Sequence, residues 1–387
     1  MPTTIPTPGA RSRLLAALRR GTPDAAHAGH RWWRVAAAYA ALRRVPLAGA
    51  LAAALAATAP AAPAQEVTLR IHHPLPPPST AHSKFLLPWT QKIERECPGR
   101  VKFQVFPAMQ LGGTPVQLYD QAKDGVVDLI WTVLGYSPGR FHALEAFELP
   151  FMTRTAQGSS RALWEYAQAN GVFAGELKDV HALALHVHDE GVIHTTARPV
   201  RTLADFRGLK LRGPTRLTTK MLQAFGATPV GLPVTQVADA MSKGLIDGAI
   251  VPWEIVPAIK LHELARFHSE TDPKARALYT ATFVFAMNRA SYGKLPADVK
   301  RCIDANSGAE LSAWIGKIWD ESSVAARKLA VDRGNTFHTV PAAELAQWEK
   351  AAAGVQDEWS KEAASKGLVP AALLKSARET IQKYDAN

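Results

Sequence analysis

The chain has 387 residues, is 47% hydrophobic and carries a formal net charge of +11, enough apolar material for one large domain or two lobes with cores of their own. The charge is concentrated: residues 1–64 hold eight arginines and one acid, and without them the balance is about +4. With no lysine- or arginine-rich run in the remainder, the composition argues against nucleic acid and acidic membrane surfaces as partners.

Residues 43–66 read RRVPLAGALAAALAATAPAAPAQE. Arg43 and Arg44 make a charged start, and the apolar run from Pro46 to Ala59 is 14 residues long, too short to span a bilayer. Ala62-Pro63-Ala64 supplies the small residues of a cleavage site. Residues 1–64 are therefore expected to be an N-terminal extension and a secretory signal. The RR-x-x-L spacing suits either a twin-arginine or a general secretory route. No later stretch reaches 18 apolar residues, so the mature chain is expected to be soluble and exported to the periplasm. Export permits a disulfide. Cys97 and Cys302 are too few for a framework, and both a bridge and two free thiols stay open.

From residue 67 the pattern alternates between strands and helices. VTLRIHH (67–73) and VKFQVF (101–106) alternate apolar and polar residues, as half-buried strands do. Between them AHSKFLLPWTQKIERE carries Phe85, Trp89 and Ile93 at helical spacing, with Pro88 as an irregularity. Further strands are predicted at 126–132, 182–188, 208–212, 228–233 and 279–288, and helices at 115–124, 159–178, 216–225 and 234–243. Such alternation predicts an α/β fold with largely parallel sheets. In 307–336 an apolar stripe through Leu311, Ile315, Ile318, Val324 and Leu329 predicts one long helix. Ser307 and Glu310 are placed as its capping box, and Gly334 as its end. About 26 residues would span roughly 40 Å, long enough to cross two lobes. A helical tail over 343–384, interrupted near Gly354 and Gly367, closes the chain.

Two phrases echo each other. QLYDQAKDGVVDLIW begins at Gln117 and QVADAMSKGLIDGAIVPWE at Gln236, so that Gln117, Asp120, Gly125 and Asp128 match Gln236, Asp239, Gly244 and Asp247. Each reads as a helix, a glycine where φ must turn positive, and a short buried strand carrying an aspartate. This predicts two lobes of similar build, each bringing the carboxyl end of that strand to one cleft, where open α/β sheets bind ligands.

Enzyme signatures are missing: there is no G-x-S-x-G, P-loop, H-E-x-x-H or G-x-G-x-x-G. The run HALALHVHDEGVIH places His186 and His188 on one strand face, but no third ligand has supporting spacing. These are expected to be hydrogen-bonded histidines near a cleft, with no metal and no cofactor; the pair His72-His73 reads the same way. Arg212 ends a strand whose Leu209 and Leu211 point inward. Its opposite parity turns it toward a cleft or the surface; its planar fork suits a carboxylate, while a solvated surface charge is the reading the residue alone favours.

The run RPVRTLADFRGLKLRGPT, then GATPVGLPVTQVADAMSKGLIDGAIVPWE, with FPAMQLGG (106–113), DGVVDLIW and FELPFM (147–152), resembles the solute-binding proteins of tripartite ATP-independent periplasmic (TRAP) transporters. The resemblance covers nearly all of 66–384. It implies a two-lobed α/β periplasmic binding protein fold with a hinge and a long lobe-spanning helix. Lobe I is expected over 66–189, with about 278–317 returning to it. Lobe II is expected over 190–277, with about 318–387 packing across both. The resemblance also implies a small organic acid as ligand, a membrane permease as partner, a monomer or dimer, and Arg212 as the carboxylate's partner. The chain departs from the family twice. Gly191-Val192-Ile193-His194 stands where a second arginine is common, and Val251 where an asparagine is. Aromatics stand near the site instead: Trp131, Tyr136, Trp253 and Phe283. These, with Glu254 as a partner for a ligand hydroxyl or as a helix cap, and His194, complete the expected ligand-binding set. They suggest a monocarboxylate with an apolar or aromatic body. An exported α/β enzyme, or a receptor feeding a signalling partner, is the alternative.

Overall fold

The computed structural model describes residues 66–385; the reading of 1–64 as an export signal lies outside the described residues. Strands β1 (Val67–His72), β2 (Val101–Phe106), β3 (Leu129–Val133) and β4 (Val180–Val187) are followed by β5 (Gly191–Thr195), β6 (Lys210–Gly213), β7 (Thr228–Gly231) and β8 (Gly248–Pro252). Then come β9 (Phe267–Glu270), β10 (Thr282–Asn288) and β11 (Thr336–Thr339). They form two sheets, one ordered β2-β1-β3-β10-β4 and the other β11-β9-β5-β8-β6-β7.

The sheets repeat one another. Read as β2-β1-β3-β10-β4 and β7-β6-β8-β5-β9, they share order and strand direction, with β11 added at one edge. The echo in the sequence is the visible part of this repeat. Gly125 and Gly244 have φ of 74° and 66°, and each ends a six-residue helix, Leu118–Lys123 or Val237–Ser242. The aspartates differ from expectation in one respect. They stand just before their strands and act as clamps: Asp128 Oδ2 accepts from the Arg70 N–H at 2.9 Å and Asp247 Oδ2 from the Lys210 N–H at 2.7 Å. Each stitches the entry of one strand to its parallel neighbour.

The sheets are mixed and not largely parallel. β10 runs antiparallel between β3 and β4, and β5 antiparallel between β8 and β9. The chain crosses between the sheets at 188–190 and 271–281, so each sheet receives one strand reversed by the return of the chain. Strands β5, β9 and β11 are only four or five residues long, and none of them is among the strands predicted from the sequence.

The long helix spans Ala309–Asp332. Its predicted capping box does not form, because Ser307 Oγ donates to the Ile303 carbonyl and Glu310 pairs with Arg161. Its early turns pack on the helix Ala156–Ala169, and its later turns on the segments Trp253–Ile255 and Leu261–Leu264. The helix is anchored to the first of these by Asp320, whose two oxygens accept from the Ala156 and Gln157 N–H groups at 2.9 Å each. Ala342–Ser365 runs unbroken through Gly354; the tail breaks only at Gly367, where φ is 80°. Pro88 leaves the expected irregularity as a π-helical turn, Ala81–Leu86, ahead of the helix Leu87–Glu96, since proline has no N–H for the regular ladder.

Cys97 and Cys302 are bridged, with Cα atoms 6.5 Å apart and a sequence separation of 205. The bond joins the end of Leu87–Glu96 to the helix Ala297–Ala305. Closing so long a loop restricts the unfolded chain strongly, so the double variant C97S/C302S is expected to lose about 2–5 kcal/mol. Chemical denaturation with and without reductant tests this; a midpoint indifferent to reductant would contradict it.

Candidate functional site

A cavity lies between the two sheets. Its free volume is small, about 40 Å³. The carboxyl ends of both repeated strands reach it: Trp131 and Val133 from β3, followed by Tyr136, and Pro252 from β8, followed by Glu254 and Ile255. Phe283 comes from β10, Ala281 and Tyr279 from the segment leading into it, and His188 from the first crossing. Tyr279, Ala281 and Phe283 alternate along one face, as a strand requires. That period of two is the signal by which Tyr279, missing from the expected set, was open to being found. Tyr279 packs against Gly191, where a β-carbon would fall 1.9 Å from the tyrosine ring; any larger residue would push the ring out of the wall.

Arg212, on β6, is the one guanidinium in the wall, and only 2% of it is exposed. Its Nε–H donates to the Leu232 carbonyl at 2.8 Å and an Nη–H to the Ile250 carbonyl at 3.0 Å. Two backbone carbonyls thus hold the fork in place, yet among the described residues no carboxylate lies within ion-pairing distance. Burial lowers its pKa, and the hydroxyls of Tyr136 and Tyr279 nearby oppose that. A buried cation without a counter-charge is costly unless something else supplies the negative charge. Beside it, Tyr279 Oη and His188 Nε2 have no hydrogen-bond partner among the described residues. Burial holds His188 neutral by lowering its pKa to about 4.

The apolar wall is aromatic. Trp131 stacks on Phe283 with ring centroids 5.1 Å apart and planes 12° from parallel. His186 continues the stack behind them, 4.6 Å from Phe283. Trp131 Nε1–H donates to His186 Nε2 at 2.8 Å, which fixes the tautomer of that histidine as Nδ1–H. His186 and His188, expected as hydrogen-bonded histidines near the cleft, are there. Among the described residues no group of three or more histidine, cysteine, aspartate or glutamate side chains is placed to hold a metal ion.

Five of the expected ligand-binding residues meet at this cavity: Arg212, Trp131, Tyr136, Glu254 and Phe283. Two do not. Trp253 points away from the cavity, and its Nε1–H donates to Glu270 at 2.7 Å. That carboxylate is gripped on both oxygens by Arg327. His194 lies behind the wall, where its Nε2–H donates to the Val251 carbonyl at 3.0 Å. Its Nδ1 must then accept from His268 Nδ1 at 2.7 Å, and His268 Nε2 accepts from the Asn335 amide. The reason is parity: β5 and β8 are buried on both faces, so alternate side chains enter a second core rather than the cleft. Tyr136 bridges the two halves directly, accepting from the Val234 N–H at 3.0 Å.

The buried titrating groups set a pH profile for stability. Burial lowers His186 to about 3, His188 and His194 to about 4 and His268 to about 2. Below pH 6.5 the unfolded chain binds protons that these folded residues refuse, so stability falls as pH falls. Burial raises Glu148, Glu176 and Glu190 to about 7 and Glu254 to about 8. Above pH 4.5 the unfolded chain releases protons that these folded carboxyls keep, so stability falls as pH rises to about 8. The two sets oppose each other between 4.5 and 6.5. Scanning calorimetry is therefore expected to give a maximum Tm in that window, lower at pH 4 and lower again at pH 8. A Tm still climbing from pH 6 to pH 8 would contradict the assignment.

Two α/β halves, a cleft at their strand ends and a cation waiting for an anion define a binding protein for a small acidic solute. Residues 71–362 match the model of the bacterial extracellular solute-binding proteins, family 7, and the chain belongs to that family, the solute-binding proteins of TRAP transporters. A TRAP solute-binding protein from Rhodoferax ferrireducens, solved with copurified benzoate, is 49% identical, with a TM-score of 0.81 over 83% of this chain and 99% of its own. A marine metagenome TRAP protein described as specific for aromatic acid ligands, solved with metahydroxyphenylacetate, is 48% identical, with a TM-score of 0.80 over 82% and 99%. The protein named outer membrane transporter protein TsaT from Comamonas testosteroni is 28% identical over 82% of this chain and 92% of its own. As members of this family do, the chain captures a small organic acid in the periplasm and delivers it to the membrane permease, which performs uptake.

Proposed function

We propose that the captured solute is an aromatic monocarboxylate, its carboxylate paired with Arg212 and its ring lying along Trp131 and Phe283. The observation that carries this is the burial of Arg212 in an aromatic-walled cavity with, among the described residues, no carboxylate within ion-pairing distance. A ligand carboxylate supplies the missing charge and receives a charge-assisted, two-pronged hydrogen bond. Tyr279 Oη and His188 Nε2, both unpartnered and both near Arg212, offer further contacts to the same group. Stacked rings leave an apolar slot that favours an aromatic body through area and ring geometry together. Benzoate, metahydroxyphenylacetate and 3-hydroxybenzoate in the crystals of relatives 48–49% identical support this reading.

Closure of the two halves on the acid excludes water and strengthens the charge pair. Thermal-shift measurement with benzoate at about 100 times Kd is expected to add about 2.7 kcal/mol, roughly 5 °C for a chain of this length. Glucose and other neutral sugars are expected to produce no shift. An equal response to sugars and acids would sink the carboxylate reading.

A further inference from the structure

Arg212 is one polar pole of the cavity; the structure contains another. We infer that Glu254, with Thr80 and Trp319 beside it, receives a hydroxyl group on the ligand's ring, so that the preferred solutes are hydroxylated aromatic monocarboxylates. This rests on the aromatic-acid reading above and adds a second recognition point to it.

Glu254 sits in the turn Trp253–Ile255 at the end of β8 and lines the cavity. It is 7% exposed, and its Oε2 has no hydrogen-bond partner. Its neighbours are Thr80, Trp319, the Lys84 ammonium and the buried Asp189 carboxyl. None of these supplies a counter-charge in contact: the Lys84 ammonium is engaged by Ser322 Oγ at 3.0 Å, and Trp319 Nε1 is itself unpartnered and fully buried. Arg212 is influenced instead by Tyr136 and Tyr279, and it forms no ion pair with Glu254. The two groups are separate poles of one cavity.

Burial without a cation holds Glu254 protonated near neutral pH, its pKa raised to about 8. A neutral carboxyl offers one O–H donor and a free acceptor, and a hydroxyl offers the same pair in return. An unsubstituted ring leaves these atoms dry and unmatched, which a buried site penalises. A site built to hydrogen-bond a ligand hydroxyl discriminates strongly against the analogue lacking it. A second carboxylate at this pole would meet no cation, so dicarboxylates are excluded along with plain rings being disfavoured.

The test is isothermal calorimetry on the mature chain with benzoate, 3-methylbenzoate, 3-hydroxybenzoate and 4-hydroxybenzoate, using wild type, E254Q and E254L. At least one hydroxybenzoate is expected to bind tenfold or more tightly than both benzoate and 3-methylbenzoate. The methyl analogue fills similar space without the polar group. The preference ratio is expected to fall to within threefold of unity in E254L and to survive in part in E254Q. Equal wild-type affinity for hydroxyl and methyl analogues would overturn the inference and leave the aromatic-acid reading standing. An undiminished hydroxyl preference in E254L would do the same. Absence of binding by all four acids would overturn both.

Discussion

Replacing Arg212 with methionine is expected to abolish capture of benzoate while leaving the free protein at least as stable as wild type. The two effects have one cause. Arg212 is fully within the protein and held by two backbone carbonyls, with the Tyr136 hydroxyl beside it. Truncating one partner of a desolvated charge pair costs 2–5 kcal/mol or more of binding, so affinity is expected to fall by about 30- to 5,000-fold. In the free protein the same guanidinium is a buried charge with no opposite charge in contact among the described residues, and an apolar side chain of similar volume removes that desolvation cost. Calorimetric titration and thermal melts of the free variant measure the two halves separately. Retained affinity within threefold of wild type would show that the acid binds elsewhere. A large drop in Tm without ligand would show that Arg212 serves the fold.

Trp131→Ala is the change expected to damage both fold and site. The indole is 2% exposed, stacks on Phe283 and donates to His186. Its loss leaves a void in the wall and strips His186 Nε2 of its donor, a combination costing about 3–5 kcal/mol. At about 2 °C per kcal/mol for a chain of this size, Tm is expected to fall by 6–10 °C. Benzoate affinity is expected to fall at least tenfold. Trp131→Phe keeps a ring against Phe283 and loses only the hydrogen bond, so its Tm is expected to fall by less than half as much. If the alanine variant melted like wild type, the stack would not be part of the core.

The repeat explains why Arg212 stands alone. By register, Arg212 on β6 lies opposite Ala249 as His72 on β1 lies opposite Ile130, and these are equivalent places in the two sheets. His72 is closed off by Gln121, whose carbonyl oxygen sits 2.7 Å from its Nδ1, and by the Leu111 N–H. The same backbone position is therefore a sealed hydrogen-bond junction in one half and an open cation in the other.

Much of the frame was legible from local chemistry. Glycines 125 and 244 adopt positive φ because a helix must turn sharply into a strand there, and only glycine does so without strain. Leu311, Ile315 and Ile318 marked the buried face of the brace, but Val324 and Leu329, expected on the same stripe, are exposed, the later turns burying Ser322, Ala326 and Ala330 instead. Arg212 was singled out by the family resemblance, since parity alone left cleft and surface open. The glycines and the stripe are signals carried within a few residues. The direction of β5 and β10, the pairing of Cys97 with Cys302, and the exile of Trp253 and His194 from the cavity were decided elsewhere. Each depends on which distant segment becomes a neighbour: Trp253 turned toward Glu270 and Arg327, His194 toward His268 and Asn335. Tyr279 entered the wall because Gly191, 88 residues earlier in the numbering, leaves room for its ring. Sequence by itself determined the repeated units, since short-range sterics and periodicity set them. Tertiary structure alone decided which aromatics face the ligand, because a strand buried on both faces gives no periodic sign of which core each side chain enters.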